Sequence, residues 1–154
     1  MDKILVGALI ALVVVLGVFW VFNTGQKRDE QLSSQPKDPV TIVNVDGGSY
    51  QNIDSAQLAE MLKHKDFFFI NVHMPYEGEI AYTDAFIPYN EIEKNLAKLP
   101  SDKAAKIVVY CRSGRMSAIA AATLVKRGYT NVWNHKDGMI DWQNKGNQLI
   151  QKQS

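Results

Sequence analysis

Cysteine is nearly absent from this chain of 154 residues: Cys111 is the only one. A single thiol allows no internal disulfide and cannot build a Cys-rich zinc site. Histidine is almost as scarce, and His64, His73 and His135 are too dispersed to suggest a metal centre. No metal and no cofactor is therefore expected. Neither sign of charge prevails, with 17 Lys and Arg against 16 Asp and Glu. Without a basic block, nucleic acid is not an expected partner. Internal repeats and low-complexity tracts are missing as well.

What the chain does have is one long apolar run. Residues 4–22 are 19 consecutive residues without a charge or a strongly polar side chain. At about 1.5 Å per residue a helix of this length spans roughly 28 Å, the depth of a bilayer core. Phe19, Trp20 and Phe22 stand at its end, where an interfacial aromatic belt would lie. The residues that follow offer no small-x-small cleavage site, so an uncleaved anchor over residues 1–22 is expected rather than a signal peptide. Lys3 on one side and Lys27 with Arg28 on the other leave the charge rule undecided. A three-residue tail before an anchor commonly stays inside, which would make this a single-pass membrane protein with an extracytoplasmic domain.

Residues 23–39 are polar, contain Pro36 and Pro39, and read as a solvated linker. Residues 40–154 then form one domain with a single hydrophobic core. A short β-type run at 40–45 closes in the turn Asp46-Gly47-Gly48. Asp54 has the character of an N-cap, with Gln57 at the third helical position and Ile53 placed to staple onto Leu58. Residues 67–72 read as a strand covered on both faces, 91–99 as a short helix ended by Pro100, and 107–110 as a second buried strand. A helix over 117–127 stops at Gly128, a third strand covers 131–134, and a closing helix carrying Trp142 covers 139–149. Strands alternating with helices imply an α/β fold with a mostly parallel sheet flanked by helices.

Cys111 falls where the second buried strand gives way to a Gly-containing turn and an alanine-rich helix. Backbone N–H groups at such a helix start favour an anion and would hold a thiolate. Together with Arg112 and Arg115 they are expected to lower the thiol's pKa from about 8.5 into a range of roughly 3.5 to 7.5. A lone cysteine is most often a small buried hydrophobe. The carboxyl edge of the sheet, where open α/β folds place their sites, points instead to an accessible nucleophile.

Six motifs in order resemble those of rhodanese-like domains, a sulfurtransferase fold of the α/β class. They are Ile53-Asp54-x-x-x-Leu58, Ile70-Asn71-Val72-His73, Glu77-Gly78-Glu79-Ile80 with the later Ile87-Pro88, Tyr110-Cys111-Arg112-Ser113-Gly114, Gly128-Tyr129-x-Asn131-Val132, and Asp137-Gly138-x-x-x-Trp142. The resemblance implies that Cys111 takes sulfane sulfur from a small donor anion such as thiosulfate or from a persulfide. It then passes the sulfur to a thiophilic acceptor, a thiol or a protein cysteine. On this reading the amides of Arg112, Ser113, Gly114, Arg115 and Met116 cradle the anionic persulfide, and the two guanidinium groups attract the donor.

Departures from the family pattern are as specific as the matches. Met116 stands five places after the cysteine, where the family commonly has arginine, and an arginine stands one place earlier at Arg115. Asn71 and His73 replace an aspartate and an arginine near the loop, and Glu79 replaces a histidine. A phosphatase of the same fold would need arginine six places after the cysteine, and Ser117 is there. The departures leave a second reading open, a non-catalytic module that binds a partner protein at the membrane. Residues 74–79 could wall the site or lie on the surface. Asp84 and Glu79 are given no catalytic role.

Overall fold

The computed structural model describes residues 39–152 of the chain. Six strands form one mixed sheet in the order β1-β2-β6-β5-β3-β4. These are β1 (Thr41–Val45), β2 (Gly48–Ile53), β3 (Phe68–Asn71), β4 (Ala85–Phe86), β5 (Ile107–Tyr110) and β6 (Val132–His135). β1 and β2 pair antiparallel through the predicted Asp46-Gly47-Gly48 turn, and every other pairing is parallel. Among the described residues three α-helices, α1 (Ser55–Lys63), α2 (Arg115–Lys126) and α3 (Gly138–Asn144), and a 3₁₀ segment (Ile92–Lys98) accompany it.

The central strand explains the rest of the arrangement. β5 reads Ile-Val-Val-Tyr and is buried at all four positions, as a strand covered on both faces must be. Its side chains alternate between two cores. Ile107 and Val109 join Ile70 and Val72 of the β3 segment against Ala120, Ala121 and Leu124 of α2. Val108 and Tyr110 join Phe67 and Phe69 against Leu58 of α1 and Met139 and Trp142 of α3.

The α1 entry forms as its sequence predicts. Asp54 Oδ1 accepts from the Gln57 amide at 2.7 Å, and Gln57 Oε1 accepts from the Asp54 amide at 2.9 Å, a complete capping box. Ile53 and Leu58 are both fully buried in the same cluster, as a staple requires.

Other expectations need correction. The polar segment Gly48–Ile53 is a strand, because it is paired on both sides by β1 and β6 and needs no apolar run of its own. The two-residue β4 is too short to leave a sequence pattern. In place of a helix over 91–99 stands the 3₁₀ segment Ile92–Lys98, kinked at Asn95, whose side chain donates to the Glu91 carbonyl at 2.8 Å. The closing helix ends at Asn144, five residues before the expected end at 149, and the chain then turns at Gly146. The apolar run 4–22 and the linker up to residue 38 lie outside the described residues. Among the described residues no helix is long and apolar enough to cross a membrane.

β6 ends in a histidine that serves the fold. His135 is fully buried, shares a 2.9 Å hydrogen bond between Nε2 and Ser55 Oγ, and meets Trp142 edge-on at 6.4 Å between ring centroids. Burial lowers its pKa from 6.5 to about 4. The unfolded chain therefore takes up a proton near pH 6.5 that the folded chain refuses until about pH 4, and stability is lost as the pH falls through that window. The loss amounts to about 3 kcal/mol. Urea unfolding of the full chain between pH 7 and pH 4 should show this slope, and His135→Gln should flatten it. An unchanged slope in that variant would place the acid sensitivity elsewhere.

Candidate active site

β5 delivers Cys111 to the loop, and the strand's alternation decides what happens to the thiol. Ile107, Val109 and Cys111 share one face, so the cysteine continues inward into the α2-side core and is only 1% exposed. The expectation of an accessible cysteine is thus corrected: the thiol is the floor of the site rather than its surface. Around it Arg112, Ser113 and Arg115 are exposed, Gly114 is buried, and Met116 packs against the same core cluster. The residue that replaces the family's arginine is therefore an apolar packing group.

The loop closes directly into α2. Gly114 is the helix N-cap, with φ of 85°, and its carbonyl accepts from the Ala118 amide at 3.0 Å and from Ser117 Oγ at 3.0 Å. The amides of the first helical turn have no acceptor within the helix and remain available to an anion. A Cβ at Gly114 would fall 1.6 Å from the Lys136 carbonyl oxygen, so only glycine permits the approach.

The other half of the lock comes from α3. The Met139 amide donates to the Cys111 carbonyl at 2.9 Å and the Ile140 amide to the Arg112 carbonyl at 3.0 Å. Gly138, with φ of 66°, lies so close that a Cβ would sit 2.5 Å from the Cys111 carbonyl oxygen. Both carbonyls are thereby turned toward α3 and away from the space above the thiol.

Asn71 and His73, the proposed neighbours, build the adjoining wall. Asn71 is fully buried; its Nδ2 donates to the Gly78 carbonyl at 3.0 Å and its Oδ1 accepts from the His73 amide at 3.0 Å. An aspartate could accept but not donate, so the change from the family residue is matched to this loop. His73 is buried, and its Nε2 lies 3.2 Å from Glu77 Oε2 in a geometry short of a hydrogen bond. The same Glu77 oxygen is 3.2 Å from Arg112 Nε. Glu77 is the residue that sequence reasoning left undecided, and its contact brings the 74–79 loop against the Cys111 loop. Its position, six places after Asn71 at the end of β3, gives no local signal of that contact.

That wall is tied down elsewhere. Tyr110 Oη accepts from the Ile80 amide at 2.9 Å and lies 2.7 Å from Thr83 Oγ1, and burial pushes the phenol's pKa up. Ile150 and Glu79 exchange backbone hydrogen bonds at 2.8 and 2.9 Å, and the Lys152 amide donates to Tyr76 Oη at 3.0 Å. Asp84 plays a structural part: its Oδ2 accepts from the Phe69 amide and from Lys65 Nζ, each at 2.7 Å. His64 is an exposed C-cap residue of α1, far from this chemistry in role. Among the described residues no group of His, Cys, Asp and Glu side chains could hold a metal ion.

The sequence profile of the rhodanese-like domain matches residues 56–145. The chain belongs to the rhodanese-like family. A sulfurtransferase of Allochromatium vinosum is 32% identical over 101 residues, covering 64% of this chain and 92% of that protein. A tRNA uridine(34) hydroxylase of Escherichia coli O127:H6 is 30% identical over 134 residues, but the match spans only 37% of its length. Among solved structures, a rhodanese-related protein from Thermoplasma volcanium superposes with a TM-score of 0.55 at 28% identity, covering 64% of this chain and 96% of that one. The rhodanese match ends at residue 145, so the Ile150 and Lys152 contacts to the 76–80 loop lie beyond it.

Two substitutions test the site's construction. Gly114→Ala should destabilise the domain by about 3 kcal/mol or more, since the intruding methyl meets backbone on one side and a positive φ on the other. Asn71→Asp, although it restores the family's residue, should cost about 1–3 kcal/mol because the Gly78 carbonyl loses its donor. Thermal unfolding of both variants reads the effects; an Asn71→Asp protein as stable as the parent would refute the donor assignment.

Proposed function

We propose that this protein is a sulfurtransferase that carries sulfane sulfur on Cys111. The observation that carries the reading is the cysteine at the end of β5, beneath a loop whose carbonyls are held aside by α3 and whose amides lead into the α2 N-terminus. The Cys111 thiolate attacks the outer sulfur of a donor, R–S–S⁻ or S–SO₃²⁻, forming the new S–S bond as the old one breaks. The products are Cys111–S–S⁻ and either R–S⁻ or sulfite. A thiophilic acceptor, a thiol or protein cysteine, then removes the outer sulfur and restores the thiolate. Burial of Cys111 suits a two-atom carrier: the root sulfur stays in the core, and the transferable sulfur reaches the level of the loop amides. Family membership and the A. vinosum sulfurtransferase support this over a purely binding role. The E. coli hydroxylase shares too little of its length to suggest its own reaction here.

We further propose that residues 4–22 anchor the protein in a membrane by one span, with the sulfur-transfer domain outside the cytoplasm. The run's length and its aromatic end support the anchor. Resistance to carbonate extraction, and protease access to the domain in intact cells, would test span and side separately.

The chemistry is tested on the full chain in detergent. After incubation with thiosulfate or a small persulfide, intact mass should rise by one sulfur atom. Cyanide or a thiol should remove it, and Cys111→Ser should never acquire it. A folded parent that gains no sulfur from either donor would contradict the proposal.

A further inference from the structure

We infer that Glu77 sets the donor preference of this site, turning it away from the thiosulfate dianion and toward persulfides; the inference rests on the sulfur-transfer reading above. Within the loop the cations are Arg112 and Arg115; the place five after the cysteine, where the family commonly has arginine, is Met116, which packs against the core. Of those two, Arg112 is engaged: its Nε lies 3.2 Å from Glu77 Oε2. The same carboxylate oxygen lies 3.2 Å from His73 Nε2. Glu77 is about half exposed, with a side-chain exposure of 46%, so it stands at the rim where a donor must pass rather than in the core.

The carboxylate cannot simply swing away with its loop. Asn71 holds Gly78 from below, Tyr110 and Thr83 hold Ile80, and the C-terminal segment pairs with Glu79 and Tyr76. A Cβ on Gly78 would lie 3.2 Å from the Ile150 carbonyl oxygen, so the loop and the C-terminal segment are in close contact. Fixing the backbone on both sides of Glu77 fixes a negative charge beside the arginine that a dianion would seek.

The two donor classes feel that charge differently. Thiosulfate brings two negative charges on a group that must sit wholly within the loop's field. It must compete with Glu77 for Arg112 while being repelled by the same carboxylate. A persulfide brings one charge, on the terminal sulfur, and the thiol that carries it stays at the rim. For groups a few ångströms apart in water-like surroundings, removing one repelling unit charge from a dianion's path changes binding by about tenfold. The difference should be screened by salt, since Glu77 and Arg112 are both solvent-exposed.

The test compares kcat/KM for thiosulfate and for the singly charged persulfide of 2-mercaptoethanol in the full chain and in Glu77→Gln, at low and at high salt. The ratio of thiosulfate to persulfide activity should rise about tenfold in Glu77→Gln, mainly through a lower KM for thiosulfate, and the gain should shrink in high salt. Glu77→Asp should restore most of the discrimination. Glu93→Gln removes an equal charge from the Arg127 pair at the far end of α2 and should leave the ratio unchanged. If the parent transfers sulfur from both donors and Glu77→Gln leaves their ratio unaltered, the inference is overturned while the sulfurtransferase reading stands. An equal loss for both donors would make Glu77 a structural residue only, which also overturns it. A parent that accepts sulfur from neither donor would overturn the sulfurtransferase reading itself.

Discussion

Two backbone hydrogen bonds, from the Met139 and Ile140 amides to the Cys111 and Arg112 carbonyls, are the constraint on which this site depends. A loop that binds an anion must present N–H groups and withhold C=O groups, and nothing in a free turn enforces that choice. Here the start of α3 takes up the two offending carbonyls. The approach works only because Gly138 and Gly114 have no Cβ, each lying against the backbone of the other's segment. Helix, loop and strand end are thereby one interlocked unit. Preorganised dipoles of this kind stabilise charge without rearranging as the charge develops.

Burial of Cys111 follows from the alternation of β5 and bears on the proposed chemistry. A thiol on the core-facing register of β5 makes poor contact with bulk solvent. In the proposed persulfide, the sulfur added to Cys111 would extend from the core toward the loop. Above it, electrostatics are less positive than the two arginines suggest, because Glu77 neutralises one of them. Charge at the rim is therefore set by Glu77 as well as by the two arginines.

Much of this was legible in the residues. The β5 run of apolar residues, the Asp54 capping box and the Cys111-to-Gly114 turn each carry a local signal, and each appears where its sequence places it. Strand β2 was hidden because its pairing partners supply the order and its own residues are polar. The polar loop after Cys111 suggests exposure, but the alternation before it decides: Ile107, Val109 and Cys111 fall on one face. Asn71 looked like a defect because the family offers an aspartate. Its meaning depends on the Gly78 carbonyl, which only the folded loop brings within reach. Glu77's contact with Arg112 joins residues 35 positions apart and leaves no short-range trace.

The central claim is that the outer sulfur of a Cys111 persulfide is held by the loop's amides. Amide NMR spectra of the protein, recorded before and after loading with a persulfide donor and again after cyanide, test this most directly. The account predicts large, cyanide-reversible shifts for the amides of residues 112–116, with the amides of Met139 and Ile140 nearly unmoved because they stay bound to their carbonyls. Loading confirmed by mass but leaving the 112–116 amides in place would contradict it.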